Sequence, residues 1–375
     1  MTELRYCSNC VNISTRPTIK FDDRGLCPVC CHYEDRKIGA IDWRVRRQEL
    51  KSLLEWGRER SKSSYDCIIG VSGGKDSLRQ ALYTRDELKA KPLLVSTVYP
   101  PEHLVERGAR NMSNMVNHGF DIVTVSLNPE VWKTLMRQAF FKHGNYCKST
   151  ECALYAVTVH MAIAYHIPLI FLGENPTYTI GETEGSTDGD ATYMKYANTL
   201  AGGVISDDLL DPSIGKQDTF FYNYPSDDDI VSAGLRIMYL GYYLEDFNSV
   251  KNKQFSVKHG LELRNAPPED TGEITYSQSL EEEFYMVNQM IKYMKFGYGQ
   301  ATDKLCEQVN LGLVDRETAM TLVRKYDGRC AKRYIDHFCD YLDISIEKFW
   351  EVAESFRDKE LFEKNERDEW ILNTK

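Results

Sequence analysis

Ser72-Gly73-Gly74-Lys75-Asp76-Ser77 is the segment of this 375-residue chain whose residue types and spacing bear most directly on chemistry. Its two glycines lack side chains, so backbone N–H groups can converge on an anion, and a helix starting there adds its own free N–H groups. Lys75 contributes a point charge, and Ser72 and Ser77 contribute hydroxyls. Such a loop suits the phosphates of a nucleotide. The flanks agree: Tyr65 to Val71 has the β-branched character of a buried parallel strand, and Ser77 to Tyr83 can continue as a helix. Spacing excludes two other phosphate loops. A Walker A loop needs four residues between its first glycine and the Gly-Lys pair and then Ser or Thr, whereas Gly70 to Gly74 leaves three and Asp76 follows Lys75. The Gly-x-Gly-x-x-Gly spacing of a dinucleotide site is absent.

A second constellation consists of Cys7-x2-Cys10 and Cys27-x2-Cys30, separated by sixteen residues. This is the spacing of a tetrahedral four-thiolate zinc site, and with every position taken by sulfur its role is structural. Cys31 competes with Cys30, but the x2 spacing favours Cys30. Thr18 to Asp22 and the turn Asp23-Arg24-Gly25 predict a small hairpin between the knuckles, as in a zinc ribbon. So small a core depends on its metal to fold. Eleven cysteines in all is an odd number, which argues for a reducing compartment with some thiols on metal.

These sites need a frame. Asp42 to about Arg60 reads as an amphipathic helix linking the cysteine unit to a core. Pro92 to Val98, Asp121 to Leu127 and Pro168 to Leu172 read as further strands, and Glu102 to His118, Glu130 to His143 and Glu151 to Tyr165 as helices. Alternating strands and helices predict an α/β fold with a parallel sheet covered on both faces. Ligands of such sheets bind beyond the carboxyl ends of the strands. That edge collects Ser72 to Ser77; Ser96, Thr97 and Val98, whose backbone groups are placed to meet adenine; and Gly173, Glu174 and Asn175, near the reacting centre. Glu174 to Asp190 is glycine-rich and acidic and reads as a lid whose Glu182, Glu184, Asp188 and Asp190 mostly face solvent. Beyond Asp207 β signals are scarce and helices dominate. Asp227-Asp228-Asp229 reads as a helix start, and the stripe Phe284, Val287, Met290, Ile291, Met294 as core packing. The expected units are residues 1–40 (zinc ribbon), 41–64 (linker helix), 65–206 (nucleotide-binding domain) and 207–375 (helical region for substrate or partner).

Charge and hydropathy restrict the partners. A net charge of −10 offers no general attraction to nucleic acid or to an anionic membrane. No apolar run approaches the roughly 20 residues that span a bilayer, and Met1 to Cys7 lacks a signal-peptide apolar region. The expected location is the cytoplasm.

The hexapeptide Ser72 to Ser77 resembles the PP-loop of the ATP pyrophosphatases, which activate a carbonyl-type oxygen as an adenylate and release pyrophosphate. The order of motifs is similar to that of the N-acetyl sugar amidotransferases of bacterial surface-polysaccharide and flagellar-glycan synthesis. The resemblance rests on Tyr6-Cys7-x2-Cys10, Thr15-Arg16-Pro17 with Ile19-Lys20-Phe21-Asp22, Gly25-Leu26-Cys27-x2-Cys30, Val71 to Ser77 and Ile167 to Glu174. It ends with Lys295 to Asp303 and Lys325-Tyr326-Asp327-Gly328. It implies adenylation of an acetamido oxygen on a sugar, and displacement of AMP by ammonia to leave an acetamidino group. It further implies ammonia from a glutaminase similar to that of histidine biosynthesis, with a cyclase-like barrel partner, since this chain shows no recognisable glutaminase unit. ATP, Mg²⁺ and structural Zn²⁺ are the implied cofactors. Ser72, Gly73, Gly74 and Ser77 would hold phosphates, Lys75 would stabilise the leaving pyrophosphate, Asp76 would hold Mg²⁺, and Tyr298 would stack on a sugar or base. The rival reading is a tRNA thiolase using Cys147 and Cys152. Gly173-Glu174-Asn175-Pro176 departs from the later loop of those enzymes.

Overall fold

The computed structural model describes residues 4–181, 186–196, 200 and 202–373. Helices α1 (Pro28–Lys37) and α2 (Trp43–Arg60) precede strand β1 (Cys67–Gly70). Next come α3 (Lys75–Asp86), β2 (Pro92–Val98), α4 (Glu106–Asn117), β3 (Ile122–Ser126), α5 (Pro129–His143), α6 (Cys147–Ala164) and β4 (Leu169–Leu172). The one-turn helix α7 (Pro176–Thr179) and α8 (Asp227–Ser232) lead to β5 (Arg236–Tyr239). After α9 (Leu240–Tyr243), α10 (Ser249–Lys258) and α11 (Pro268–Thr271) the chain enters α12 (Tyr285–Phe296), α13 (Gln300–Asn310) and α14 (Arg316–Tyr326). It closes with α15 (Lys332–Leu342), α16 (Ile346–Ser355) and an antiparallel pair, β6 (Phe362–Lys364) and β7 (Trp370–Leu372).

The five-stranded sheet has the order β3-β2-β1-β4-β5, and all its pairs are parallel. Its strands alternate between two apolar faces. Ile69, Leu94 and Phe171 pack with Leu50 and Leu54 of α2 and Leu78 and Leu82 of α3. Ile68, Val95 and Ile170 pack with Val157 and Ala162 of α6. Burial on both faces explains why these strands read as nearly continuous apolar runs. Strand order reverses between β1 and β4, so their carboxyl ends open a crevice at the switch point. A helical core lies beside the sheet, where Trp132 and Phe140 of α5 meet Phe284, Phe338 and Phe349.

Three features depart from the sequence expectations. The fifth strand lies in the region expected to be helical: Arg236–Tyr239 pairs with all four residues of β4, and with Arg236 exposed it gives no continuous apolar run. Between the cysteine knuckles there is no paired hairpin among the described residues. A turn closes there instead, with the Leu26 N–H bonded to Asp22 Oδ1 and the Asp22 N–H to the Leu26 carbonyl, and α1 starts at Pro28. Helix α4 begins at Glu106 rather than near Glu102, because His103 and Leu104 turn back onto the Pro100 carbonyl and the Val105 N–H bonds the Glu281 carbonyl. Asp227 to Asp229 do form the first turn of a helix, capped by Ser226. No helix among the described residues is long and apolar enough to cross a membrane.

Candidate active site

The 72–77 loop leaves β1 at the switch point and becomes the first turn of α3, whose N-cap is Gly74. Gly73 has φ +82°, and a Cβ there would stand 3.1 Å from the Met112 sulfur, so only glycine fits. Ser77 accepts a hydrogen bond from the Ser72 N–H through its Oγ at 3.1 Å, which closes the loop across its base. The unpaired N–H groups of the first turn of α3 thus edge a cavity of about 540 Å³. Ser72, Asp76 and Ser77 line it.

Lys75 is buried, and its Nζ donates to Asp76 and, at 2.7 Å, to Gln278 Oε1. Burial opposes its charge, but the carboxylates of Asp76, Glu174 and Glu307 outweigh burial and raise its pKa. Asp76 is half-buried; Lys75 keeps its carboxyl below the usual range against the desolvation that would raise it, and Asn252 Nδ2 donates to its Oδ1 at 2.8 Å. Glu174, at the end of β4, lines the same cavity, and burial together with the Asp76 charge raises its pKa. Asp76 and Glu174 are therefore two carboxylates facing one phosphate-sized space. Gly173 gives the floor its flatness, since a Cβ there would lie 2.7 Å from Gln80 Nε2.

Of the other expected positions, Thr97 and Cys147 reach the cavity and Ser96, Val98, Asn175 and Cys152 do not. Strand alternation turns Val95 and Thr97 toward the cavity and buries Ser96 away from it, while Val98 is half-buried outside the lining. Asn175 caps α7 by accepting from the Thr177 N–H, and its Nδ2 donates to the carbonyls of Ser186 and Asp188. It positions the segment after Glu174. Glu182 and Glu184 lie outside the described residues. Cys147 lines the cavity and accepts from Asn288 Nδ2 at 3.3 Å; burial and the Glu151 carboxylate push its thiol well above the ordinary range. Burial, with Glu151 again, pushes Cys152 up to about 12. Burial thus disfavours the thiolate form at both positions.

Of the opposite wall, the sequence marked only the Lys295 to Asp303 block as a place for substrate. Helix α12 carries Tyr285, Asn288, Gln289, Lys292 and Phe296 at helical spacing, and this face lines the cavity while Val287, Met290, Ile291 and Met294 enter the core. On α13, Gln300, Asp303 and Lys304 face the same space. Gly297 ends α12 with φ +75° and lets the chain turn between the two helices. Asp327 then fixes the start of α13, accepting from the N–H groups of Ala301 and Thr302 at 2.8 and 3.2 Å and from the Thr302 hydroxyl. The blocks Lys295 to Asp303 and Lys325 to Gly328 are thus two sides of one joint.

The sulfurs of Cys7, Cys10, Cys27 and Cys30 all lie within 4.8 Å of one another, a buried cluster able to hold a metal. Asn9 and Asn310 each donate to the Cys30 sulfur at 3.3 Å. Arg316 holds the Cys10 and Cys7 carbonyls at 3.1 and 3.2 Å. The cluster is therefore welded to α13 and α14. From this unit Arg16 reaches the cavity, where it pairs with Asp303 and lies 4.1 Å over the Tyr298 ring. Lys292 also pairs with Asp303, at 2.8 Å, and stands 4.9 Å from that ring. The aromatic face expected to meet a sugar or base is met by the chain's own cations. The sequence signal for Arg16 was its place in the Thr15-Arg16-Pro17 block.

With this geometry in view, residues 275–375 match the C-terminal domain of the family described as LPS biosynthesis protein WbpG-like. This is the segment that supplies the wall opposite the phosphate loop, and over these residues the resemblance to surface-polysaccharide enzymes holds. No curated protein matches the chain. Among solved structures, the U34-tRNA thiolase NcsA from Methanococcus maripaludis, with its 4Fe-4S cluster, is 14% identical, covering 85% of this chain and 88% of its own, at a TM-score of 0.33. NMN synthetase from Francisella tularensis is 12% identical, covering 60% of this chain and 99% of its own, at a TM-score of 0.29. Likenesses this distant carry no argument about substrate.

Proposed function

We propose that the chain is an ATP-dependent amidotransferase that adenylates the acetamido oxygen of an N-acetylated sugar and lets ammonia displace AMP, leaving an acetamidino sugar for a bacterial surface glycan. The observation that carries this reading is the single cavity: one wall is the phosphate loop, and the other is built from the region similar to the LPS biosynthesis family. An amide carbonyl is a poor electrophile, so its oxygen must become a leaving group before nitrogen can replace it. The loop and the first turn of α3 hold the phosphates, and Lys75 stabilises charge on the departing pyrophosphate. Asp76 and Glu174 are the pair that would hold Mg²⁺, which neutralises phosphate charge when bound. Polar groups of α12 and α13 would receive the sugar. Ammonia would come from a separate glutaminase resembling that of histidine biosynthesis, with a cyclase-like barrel, in the cytoplasm.

The cysteine cluster supports zinc. A tetrahedral thiolate site with bonds of about 2.3 Å sets its sulfurs about 3.8 Å apart, and the Cys7–Cys30 and Cys10–Cys27 sulfurs are 3.6 Å apart. In a four-iron cluster each sulfur stands on its own iron, which requires roughly 6 Å between sulfurs. Four sulfurs within 4.8 Å of one another support the reading of a single tetrahedral ion.

The test is to incubate the protein with ATP, an ammonium salt and a panel of acetamido nucleotide sugars. AMP, pyrophosphate and a product with NH in place of oxygen are expected. AMP release that no sugar stimulates rejects the reading, and release that needs tRNA and a sulfur donor replaces it with thiolation.

A further inference from the structure

The cavity holds a carboxylate that phosphate chemistry leaves unused. Glu281, Glu282 and Glu283 are consecutive, and their surroundings divide them. Glu283 is bound by Arg107 at 2.8 Å and by Arg264. Glu282 is buried; it accepts from the Tyr146 hydroxyl and the Tyr285 N–H, both at 2.9 Å, and faces His103 Nε2 at 3.4 Å. Glu281 alone of the three lines the cavity. Among the described residues no side-chain hydrogen bond or ion pair engages its carboxylate, and its backbone carbonyl accepts from the Val105 N–H at 3.0 Å. Its position is tightly set, because a Cβ on Gly108 of α4 would stand 2.5 Å from the Glu281 Cα. The same turn carries Gln278, whose Oε1 accepts from the phosphate-loop Lys75. One short segment therefore touches the lysine at one end and presents, at the other, a carboxylate that no other side chain among the described residues binds. Burial, helped by the Glu282 charge, pushes that carboxyl up to about 7 despite the opposing influence of its own backbone and of Arg264 and Arg107.

We infer that Glu281 is the proton acceptor for the nitrogen nucleophile, an inference that rests on the amidotransfer reading above. Ammonia adds its lone pair to the carbon of the O-adenylated amide, giving a tetrahedral adduct with a C–N bond and a positively charged nitrogen. Glu281 takes one proton from that nitrogen. The carbon–oxygen bond then breaks, its electron pair leaves with AMP, and the sugar departs as the amidinium. Without the proton transfer, the adduct expels ammonia in preference to AMP. A basic carboxylate at the cavity wall makes collapse run forward.

The experiment compares wild type with Glu281→Gln and Glu281→Asp, measuring sugar-dependent pyrophosphate release without ammonia separately from amidine formation. Glu281→Gln is expected to release pyrophosphate at nearly the wild-type rate and to lose about 100-fold in amidine formation. Hydroxylamine, whose adduct sheds its proton readily, should restore the second step. The acid limb of the wild-type rate profile should vanish in Glu281→Gln and persist in Glu281→Asp. Wild-type amidine formation by Glu281→Gln, or a parallel fall of both steps without hydroxylamine rescue, overturns the assignment. If wild type releases no sugar-dependent pyrophosphate, the parent reading fails instead. Infrared titration of the protein alone decides the residue independently: a carboxyl band titrating near neutrality must be present in wild type and missing in Glu281→Gln, and its absence from wild type overturns the inference.

Discussion

Lys75 sits at the bottom of the site with its ammonium shared between Asp76 and Gln278. Replacing it affects two things that differ in kind. On the proposed function Lys75→Ala removes the charge that would face the leaving pyrophosphate, so pyrophosphate release should fall by about 100-fold or more. It also leaves the half-buried Asp76 without its cation, at a stability cost of about 1 to 2 kcal/mol. Calorimetry beside a pyrophosphate assay separates the two, and a variant with wild-type turnover would remove Lys75 from the phosphate chemistry. Glu281 gives a pH signature. Its carboxyl is held at about 7 in the fold against an ordinary 4.5. Between those values the folded chain keeps a proton that the unfolded chain has released, so its contribution to stability falls as pH rises through that window and is constant above it. Relative to wild type, Glu281→Gln should gain about 2 to 3 kcal/mol in unfolding free energy between pH 4.5 and 8. Denaturant titrations at the two pH values check this, and equal slopes refute it. At this scale the sequence was most readable where chemistry is local. The 72–77 loop and the paired cysteines announce themselves by spacing, whereas Glu281 looks like any member of an acidic run until the partners of Glu282 and Glu283 single it out.

Helix α12 shows why elements were read only in part. Its apolar stripe was visible, and the stripe does enter the core. Its polar face was open to the ordinary interpretation of a solvated surface, yet Asn288 and Gln289 are buried against the cavity. Periodicity finds the side of a helix that meets the core but cannot say whether the other side meets water or ligand. Strands β1, β2 and β4 were legible because burial on both faces leaves apolar runs, and the edge strand β3 because its residues are mostly β-branched. Strand β5 was missed because it opens on the exposed Arg236 and gives no continuous apolar run. The joint between α12 and α13 leads to a prediction at this scale. Asp327 satisfies two N–H groups and a hydroxyl at the start of α13. Asp327→Ala should cost about 1 to 2 kcal/mol by loss of that cap. It should also weaken sugar binding more than ATP binding, since Asp303 and Lys304 sit on the released turn. Ligand titrations with each substrate decide; equal weakening would place the effect in the fold as a whole.

Across the whole molecule, the cysteine unit and the carboxyl-terminal helices form one body. Cys7, Cys10, Cys27 and Cys30 share a core with Leu305, Ala319 and Val323. Changing Cys7 and Cys10 to Ser should therefore abolish bound metal, lower the melting temperature and disturb the placement of Arg16 in the cavity. Metal analysis beside thermal unfolding is the check, and unaltered metal content rejects the site. The contact between Arg16 and Asp303 joins residues 287 apart in the chain, which has a consequence for biosynthesis. A chain emerging from the ribosome can complete its phosphate loop and its sheet while the wall that would receive a sugar is still untranslated. The thiolate cluster likewise waits for Asn310 and Arg316 before it is enclosed. Contacts of such long range form slowly, and until they form the 72–77 loop stands without the wall opposite it. The cavity is complete only once Arg16 has met Asp303, so on the proposed function an unfinished chain would have no place for an acceptor.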